Sequence, residues 1–178
     1  MTTIEIVEAE LQKSSQQSEQ DYFSFHQKRY LRFNSFIREY YGLEKSEISV
    51  LDIGSHYLHN SIILKSLGFQ VDGMDVSNFW NLDFVKQRAG KYGIKPIIED
   101  NLSQLQGFQN VENKYDLIVF SEILEHITFN PIHFWKTIYQ ILKPGGRIYI
   151  STPNAFALPS MIRNLKNILL RLYVEYSG

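Results

Sequence analysis

The stretch VLDIGS at residues 50–55 decides the fold class of this 178-residue chain. Together with Ile48 it forms a short, β-branched apolar run, which is typical of a strand buried on both faces of a sheet. Gly54 ends the run, and a glycine allows the backbone to turn sharply there. We therefore predict a buried strand that leads into a turn, the arrangement with which α/β proteins bind nucleotide-type cofactors.

Strand and helix patterns alternate five times along the chain. The predicted strands cover residues 48–53, 69–74, 94–98, 115–121 and 147–151, and the predicted helices between them cover residues 58–67, 79–92 and 131–142. This order favours right-handed βαβ crossovers and predicts an α/β fold, a doubly wound, mainly parallel, Rossmann-like sheet with helices on both faces. Pro96 cannot donate a backbone hydrogen bond, so the third strand should lie near a sheet edge. Pro144-Gly145-Gly146 should form a tight turn before the fifth strand.

The N-terminal part divides into two predicted segments. Residues 1–20 are polar, and we expect a flexible or frayed arm. Asp21 can cap a helix over residues 22–41, with which the cofactor-binding domain, residues 21–154, begins.

Residues 155–178 have the pattern of an amphipathic C-terminal helix with basic residues beside its apolar stripe. The commoner arrangement for such a helix is to cover its own domain. Residues 158–173 could instead contact a membrane surface or a partner protein.

Composition limits the class of protein. The net charge of −1 argues against general nucleic-acid binding, and the absence of cysteine excludes disulfides and thiolate metal ligands. Residues 1–10 lack the positive start and apolar run of a secretory signal, and no apolar run is long enough to span a bilayer. We expect a cytoplasmic protein, and homo-oligomerisation is left open.

Acidic residues stand where the predicted strands end. They include Asp52, Asp75, Asp100 and Glu122. Because the carboxyl ends of parallel strands meet at one edge of a sheet, these side chains should lie near one another. Asp75 lies about one βαβ half-unit after Gly54, where a carboxylate can accept hydrogen bonds from ribose hydroxyls; capping the following turn is the alternative.

The turn GSHYLH at residues 54–59 contains a single glycine. A nicotinamide dinucleotide needs G-x-G-x-x-G for the close approach of its pyrophosphate, so an oxidoreductase is the less favoured alternative. A phosphate-free cofactor tolerates side chains in the turn better. S-adenosylmethionine is such a cofactor, and Asp52 suits its amino group.

Four segments in this order resemble the class I S-adenosylmethionine-dependent methyltransferases. They are VLDIGS at residues 50–55, VDGMDVS at 71–77, YDLIVFSEILEHI at 115–127 and LKPGGRIYISTPN at 142–154. Members of that family usually add two strands after the fifth. We expect this chain to lack them, as a fragment of a longer protein or as an unusually short member.

The resemblance implies a set of residues around the cofactor, with S-adenosylhomocysteine as its product form. In this set Asp52 lies at the methionine end, Asp75 at the ribose and Asp100 at the adenine amino group. The implied cofactor-binding residues are Asp52, Gly54, Ser55, His56, Asp75, Val76, Asp100, Asn101, Leu102, Ser121, Glu122 and Tyr30. Tyr30 and its neighbour Arg29, on the predicted N-terminal helix, could close over the cofactor.

The sequence departs from the family at two positions. His56 and Leu58 occupy places where the family has the second and third glycines of its loop. His56 must accept a strained backbone conformation or the loop must bend differently. A non-catalytic cofactor-binding or scaffolding domain is therefore the alternative to an enzyme.

The predicted chemistry is methyl transfer to a small-molecule, sugar (glycan) or lipid-linked acceptor, at oxygen. His126 is the candidate base, and a histidine bonded only to backbone is the alternative. Glu122, Glu125 and His126 share one face of a helical turn and could hold a divalent ion, although metal-free relatives carry a similar stretch. We favour a metal-free site.

Overall fold

The computed structural model describes residues 2–14, 16–42 and 47–153, and within them five parallel strands form one sheet in the order β3-β2-β1-β4-β5. The strands are β1 Ser49–Ile53, β2 Gln70–Asp75, β3 Lys95–Ile98, β4 Tyr115–Ser121 and β5 Leu142–Ser151. The chain runs outward from β1 to β3 and returns to β4 on the other side of β1. Strand order therefore reverses between β1 and β4, which places the ligand crevice at their carboxyl ends.

Helices cover both faces of the sheet, as the predicted fold requires. Val50 belongs to an apolar cluster that includes residues of α1, α2, α3 and α5, whereas Leu51 belongs to a second cluster with α6. The side chains of neighbouring strand residues point to opposite faces, so one strand serves both clusters. The helices are α1 Thr3–Lys13, α2 Gln17–Tyr41, α3 His59–Ser66, α4 Ser77–Trp80, α5 Asp83–Tyr92 and α6 Ile132–Ile141.

The N-terminal segment differs from the expected flexible or frayed arm. Thr2 caps α1 through a reciprocal capping box with Glu5, and the side chains of Ile4, Val7 and Leu11 are buried. These three recur at helical spacing on one face, which the polar composition of the segment conceals. The prediction for residues 1–20 is therefore wrong over Thr3–Lys13, because an apolar stripe docks this helix on the domain.

Smaller differences concern the ends of elements. Helix α2 begins at Gln17 rather than after Asp21, and the helix predicted over residues 79–92 is divided into α4 and α5. The predicted turn at residues 144–146 is an irregularity within β5, where successive pairings join Tyr115 to Leu142 and Leu117 to Arg147. Strand β3 lies at the edge of the sheet, as Pro96 predicts.

The predicted C-terminal helix over residues 155–178, with its contact surface at 158–173, lies outside the described residues. None of the helices in the described ranges combines the length and apolar character needed to cross a membrane.

Candidate functional site

A cavity of about 450 Å³ opens at the carboxyl ends of β1, β2, β3 and β4. Each of these strands contributes its last residue or residues just beyond it, as expected for a sheet of this topology. The cavity is lined by Tyr22, Gly54, His56, Met74, Asp75, Val76, Phe79, Glu99, Leu102, Ser121, Glu122, Ile123 and His126.

The loop after β1 keeps a tight path although it has one glycine. The backbone N–H groups of Gly54 and Ser55 both donate to the carbonyl of Met74, at 2.9 and 3.0 Å. His56 and Leu58 have left-handed φ values of 48° and 69°. His56 therefore accepts the strained conformation, which costs about 1–2 kcal/mol for a residue with a side chain. Strain of this kind is retained where the surrounding structure determines the backbone, as at ligand sites.

Asp75 connects this loop to β2. One carboxylate oxygen accepts the His56 N–H at 2.6 Å, and the other accepts the Val76 N–H at 2.7 Å. Burial raises the pKa of Asp75, and these two bonds oppose the shift. Each oxygen has a second lone pair, so the carboxylate that lines the cavity can also accept hydroxyl donors.

Asp52 and Ser55 do not line the cavity. Asp52 is 1% exposed, and one of its oxygens accepts the Ser61 hydroxyl at 2.6 Å. The other oxygen has no hydrogen-bond partner among the described residues, and neither has the Ser55 hydroxyl. Burial raises the pKa of Asp52 to about 7, since the bond from Ser61 offsets only part of the shift and the charge of Asp75 adds to it.

At the end of β3, the acidic residue that lines the cavity is one position earlier than the predicted one. Asp100 and Asn101 are exposed and do not line the cavity; Asp100 accepts the backbone N–H of Ser77 at 2.7 Å. Glu99, which is buried, and Leu102 line it instead. Neighbouring residues at a strand end point in opposite directions, so a shift of one position decides which acid faces the ligand.

The choice between the two acids is testable with two matched variants. Glu99→Ala should weaken binding of S-adenosylhomocysteine about tenfold, the loss of one hydrogen bond to a charged group, whereas Asp100→Ala should leave it unchanged. Calorimetric titration measures both constants. The reverse order of effects would show that Asp100 is the acid that faces the ligand.

The loop after β4 presents Ser121, Glu122 and His126 to the cavity. Glu122 has a left-handed φ of 57°, and its carboxylate accepts the Ser151 hydroxyl at 3.2 Å. His126 ends a short 3-10 turn. Glu125 lies outside the cavity lining and accepts the Thr152 hydroxyl.

The structure gives no support to the metal option. Over residues 2–14, 16–42 and 47–153, no group of three or more His, Cys, Asp or Glu side chains could hold a metal ion. Glu122, Glu125 and His126 are therefore not brought together, because the helical turn that would align them is a short 3-10 turn that begins after Glu122.

Helix α2 brings Tyr22 to the cavity, whereas the prediction named Tyr30 and its neighbour Arg29. Tyr22 lines the cavity, whereas Tyr30 is 3% exposed and does not. Arg29 lies between them: its Nη2 donates to the Tyr22 hydroxyl at 3.2 Å and to the Tyr30 hydroxyl at 3.1 Å. Its Nη1 is 3.6 Å from a carboxylate oxygen of Glu122. Among the described residues, Nε and Nη1 of Arg29 have no hydrogen-bond partner.

One wall of the cavity is aromatic. The His56 ring lies 4.5 Å from the Tyr22 ring and 4.2 Å from the Phe79 ring, measured between centroids. Burial lowers the pKa of His56 to about 3, so this wall is uncharged at neutral pH. The lining residues absent from the predicted set are Tyr22, Met74, Phe79, Glu99 and Ile123. Phe79 could have been found from its position just after the Asp75-Val76-Ser77 turn.

Gly54 is needed for its left-handed backbone conformation and for the close approach of Ile123. Gly42 is the matched control, because it shares only the first of these features. Its φ is +73°, and a Cβ there would lie 2.7 Å from Cγ1 of Ile123, which lines the cavity. At Gly42 the φ is +72°, but no described atom lies within 4 Å of an added Cβ. Gly42→Ala should cost about 1–2 kcal/mol in unfolding free energy, and Gly54→Ala about 1–3 kcal/mol more. Denaturant titration of both variants measures this difference. Equal losses of unfolding free energy would contradict the close packing of Ile123 against Gly54.

Comparison with known proteins is consistent with this geometry. A family model described as a methyltransferase domain matches residues 22–173. A ubiquinone biosynthesis O-methyltransferase of Yersinia pestis is 26% identical over 124 residues, which are 70% of this chain and 49% of that protein. The chain thus spans about half the length of this curated relative.

Two solved structures share the fold. A SAM-dependent methyltransferase from Archaeoglobus fulgidus aligns with a TM-score of 0.58 at 24% identity, covering 88% of this chain and 73% of that chain. A phosphoethanolamine N-methyltransferase from Haemonchus contortus, in complex with phosphomonomethylethanolamine and S-adenosylhomocysteine, aligns with a TM-score of 0.54 at 25% identity. That match covers 67% of this chain and 27% of the other.

Proposed function

Because the chain belongs to the methyltransferase-domain family, we propose that it transfers a methyl group from S-adenosylmethionine to the oxygen of a small-molecule acceptor. One observation carries this proposal. The cavity at the switch point of the sheet has the Asp75 carboxylate beside a loop whose His56 side chain also lines the cavity. This arrangement suits a nucleoside without phosphates.

The lining fits the parts of S-adenosylmethionine. Asp75 would accept the ribose hydroxyls, and the apolar side chains of Val76, Phe79 and Leu102 would contact the adenine ring. Arg29 lies behind the cavity lining, and its Nε and Nη1 groups, which have no hydrogen-bond partner among the described residues, would take the carboxylate of the amino-acid end. The unpartnered oxygen of Asp52 is the candidate for the amino group and would be reached through water, since Asp52 does not line the cavity.

The cofactor supplies an electrophilic methyl group on a positively charged sulfur, so the protein mainly provides alignment. The aromatic and apolar walls limit water near the reacting atoms. Glu122 and Asp75 place negative charge on this cavity, which favours a cationic ligand. His126 lines the same cavity and would accept the proton of a hydroxyl acceptor.

Oxygen as the acceptor atom and a small molecule as the acceptor class are supported by the Yersinia pestis relative, an O-methyltransferase of ubiquinone biosynthesis. A sugar or a lipid-linked molecule is the alternative acceptor. A non-catalytic cofactor-binding domain is the second candidate function, favoured by the non-glycine residues His56 and Leu58 in the loop. The cytoplasmic location stays a prediction.

A product assay tests the proposed function. The protein is incubated with S-adenosylmethionine and a set of diphenols, sugars and primary amines, and formation of S-adenosylhomocysteine is measured. We expect turnover with a hydroxyl acceptor. Binding of the cofactor without product from any acceptor would favour the non-catalytic domain.

His126→Gln tests the base. The variant should lower turnover of a hydroxyl acceptor by about 10²-fold to 10⁴-fold, the usual contribution of general base catalysis. The affinity for S-adenosylhomocysteine should be unchanged, because the side chain acts on the acceptor. Unchanged turnover would remove the assigned role and leave His126 as a lining residue.

A further inference from the structure

A buried ion pair stands at one end of a chain of hydrogen bonds that leads to Arg29. Glu19 on α2 is completely buried, and both terminal nitrogens of Arg88 on α5 donate to its carboxylate. Arg88 also donates to the carbonyl oxygens of Glu10 and Tyr57, at 3.2 and 3.3 Å. This end of the chain of hydrogen bonds is therefore fixed to α1, α2 and the loop before α3.

His59 forms the next link, and its proton can be assigned. Its Nε2 lies 2.9 Å from an oxygen of Glu19. Although burial alone would raise it, hydrogen bonds from His59 and Arg88 lower the pKa of Glu19 to about 2, so this carboxylate only accepts. Nε2 therefore carries the proton. Burial also lowers the pKa of His59, and Arg88 already balances the charge of Glu19, so the ring is neutral and its Nδ1 accepts.

Tyr30 joins His59 to Arg29. Its hydroxyl lies 3.1 Å from Nδ1 of His59, to which it donates. The hydroxyl oxygen is then the acceptor for Nη2 of Arg29, at 3.1 Å. The donor and acceptor roles along this chain of hydrogen bonds are fixed at both ends, because a guanidinium can only donate and an ionised carboxylate can only accept.

We propose that Tyr30 and His59 are positioning residues, which hold Nη2 of Arg29 so that its other N–H groups meet a carboxylate in the cavity. The two Nη2 hydrogens are used by Tyr22 and Tyr30. The Nε and Nη1 groups of Arg29 keep the remaining donors, which have no hydrogen-bond partner among the described residues, and Nη1 lies 3.6 Å from the carboxylate of Glu122 on the cavity wall. This inference rests on the proposed function, since the carboxylate is that of the cofactor's amino-acid end. It also gives Tyr30 a role behind the cavity wall rather than in contact with the ligand.

Two ligands separate this role from a general structural one. S-adenosylhomocysteine has the amino-acid end, whereas 5′-methylthioadenosine has the same nucleoside and sulfur without it. Tyr30→Phe removes one hydroxyl and keeps the ring that stacks on Phe23 at 5.1 Å. We expect S-adenosylhomocysteine to bind about tenfold more weakly to this variant, with no change for 5′-methylthioadenosine.

Tyr41→Phe is the matched control, because Tyr41 is also a buried phenol on α2 and lies outside this chain of bonds. It should bind both ligands as the wild type does. In an Arg29→Ala background, Tyr30→Phe should have no further effect on S-adenosylhomocysteine, since the group it positions is gone.

The outcomes are distinguishable. Equal weakening of both ligands by Tyr30→Phe, or an undiminished effect in the Arg29→Ala background, would overturn the positioning role while leaving the proposed function intact. A wild-type protein that binds neither ligand would instead contradict the proposed function. If Tyr30→Phe does not fold, His59→Gln in the same ligand pair gives the same test, with the same selective loss expected.

Discussion

Asp52→Asn is expected to stabilise the ligand-free protein at pH 8 and to have no effect near pH 4. Asp52 is buried with one unpartnered oxygen, and burial raises its pKa to about 7. Between about pH 4 and pH 7 the folded protein keeps a proton that the unfolded chain has lost. The unfolding free energy contributed by this group therefore falls as pH rises through that window and is lowest above pH 7.

The amide of Asn does not ionise, so the variant keeps the unfolding free energy that the wild type loses as the pH rises. A shift of about three pKa units, at about 1.4 kcal/mol per unit, sets an upper limit of about 4 kcal/mol for the gain at pH 8. Denaturant titration at pH 4, 6 and 8 measures the difference between wild type and variant. Groups such as Glu19, which titrate in both proteins, cancel in this difference.

Asp83→Asn is the control, since the Asp83 side chain is 91% exposed and should give no gain at any of these pH values. A constant difference between Asp52→Asn and wild type across the pH range would show that Asp52 is ionised in the folded protein throughout. Its carboxylate would then have a partner that is absent from the described contacts.

Asp75→Ala is expected to weaken S-adenosylhomocysteine binding about 10-fold to 150-fold. This corresponds to about 1.5–3 kcal/mol, the loss of charge-assisted hydrogen bonds to the ribose. The variant also removes the acceptor of the His56 and Val76 N–H groups, so its melting temperature should fall as well.

Asp72→Ala separates affinity from stability. Asp72 lies on the same strand and accepts hydrogen bonds from Lys114 and Tyr115, away from the cavity lining. Its loss should destabilise the fold without changing the affinity for S-adenosylhomocysteine. A similar loss of affinity in both variants would mean that Asp75 acts only through the stability of the sheet.

Local pattern was sufficient for the central strand β4. The strand predicted over residues 115–121 coincides with β4, because its apolar run is buried on both faces and polar residues stand on either side of it. Pattern was insufficient for α1, where the three buried aliphatic residues at helical spacing are interspersed with charged and polar ones. The docking of that stripe on the domain, rather than its composition, decides that the helix forms.

The site could be predicted only where strand ends determine it. Gly54, Asp75 and His126 follow directly from the ends of β1, β2 and β4, and all three line the cavity. The choice between Glu99 and Asp100 depends on a register of one residue, which the sequence does not fix. Tyr22 comes from a helix packed beside the cavity, so its contribution depends on tertiary docking, and Arg29 of the same helix was expected only from the family resemblance.

Calorimetric titration of the purified protein with S-adenosylhomocysteine, with NAD as the comparison ligand, tests the central claim most directly. The proposed function predicts saturable binding of S-adenosylhomocysteine at one site and no detectable binding of NAD, whose pyrophosphate would meet the side chain of His56 in the cavity. Binding of NAD without binding of S-adenosylhomocysteine would contradict it.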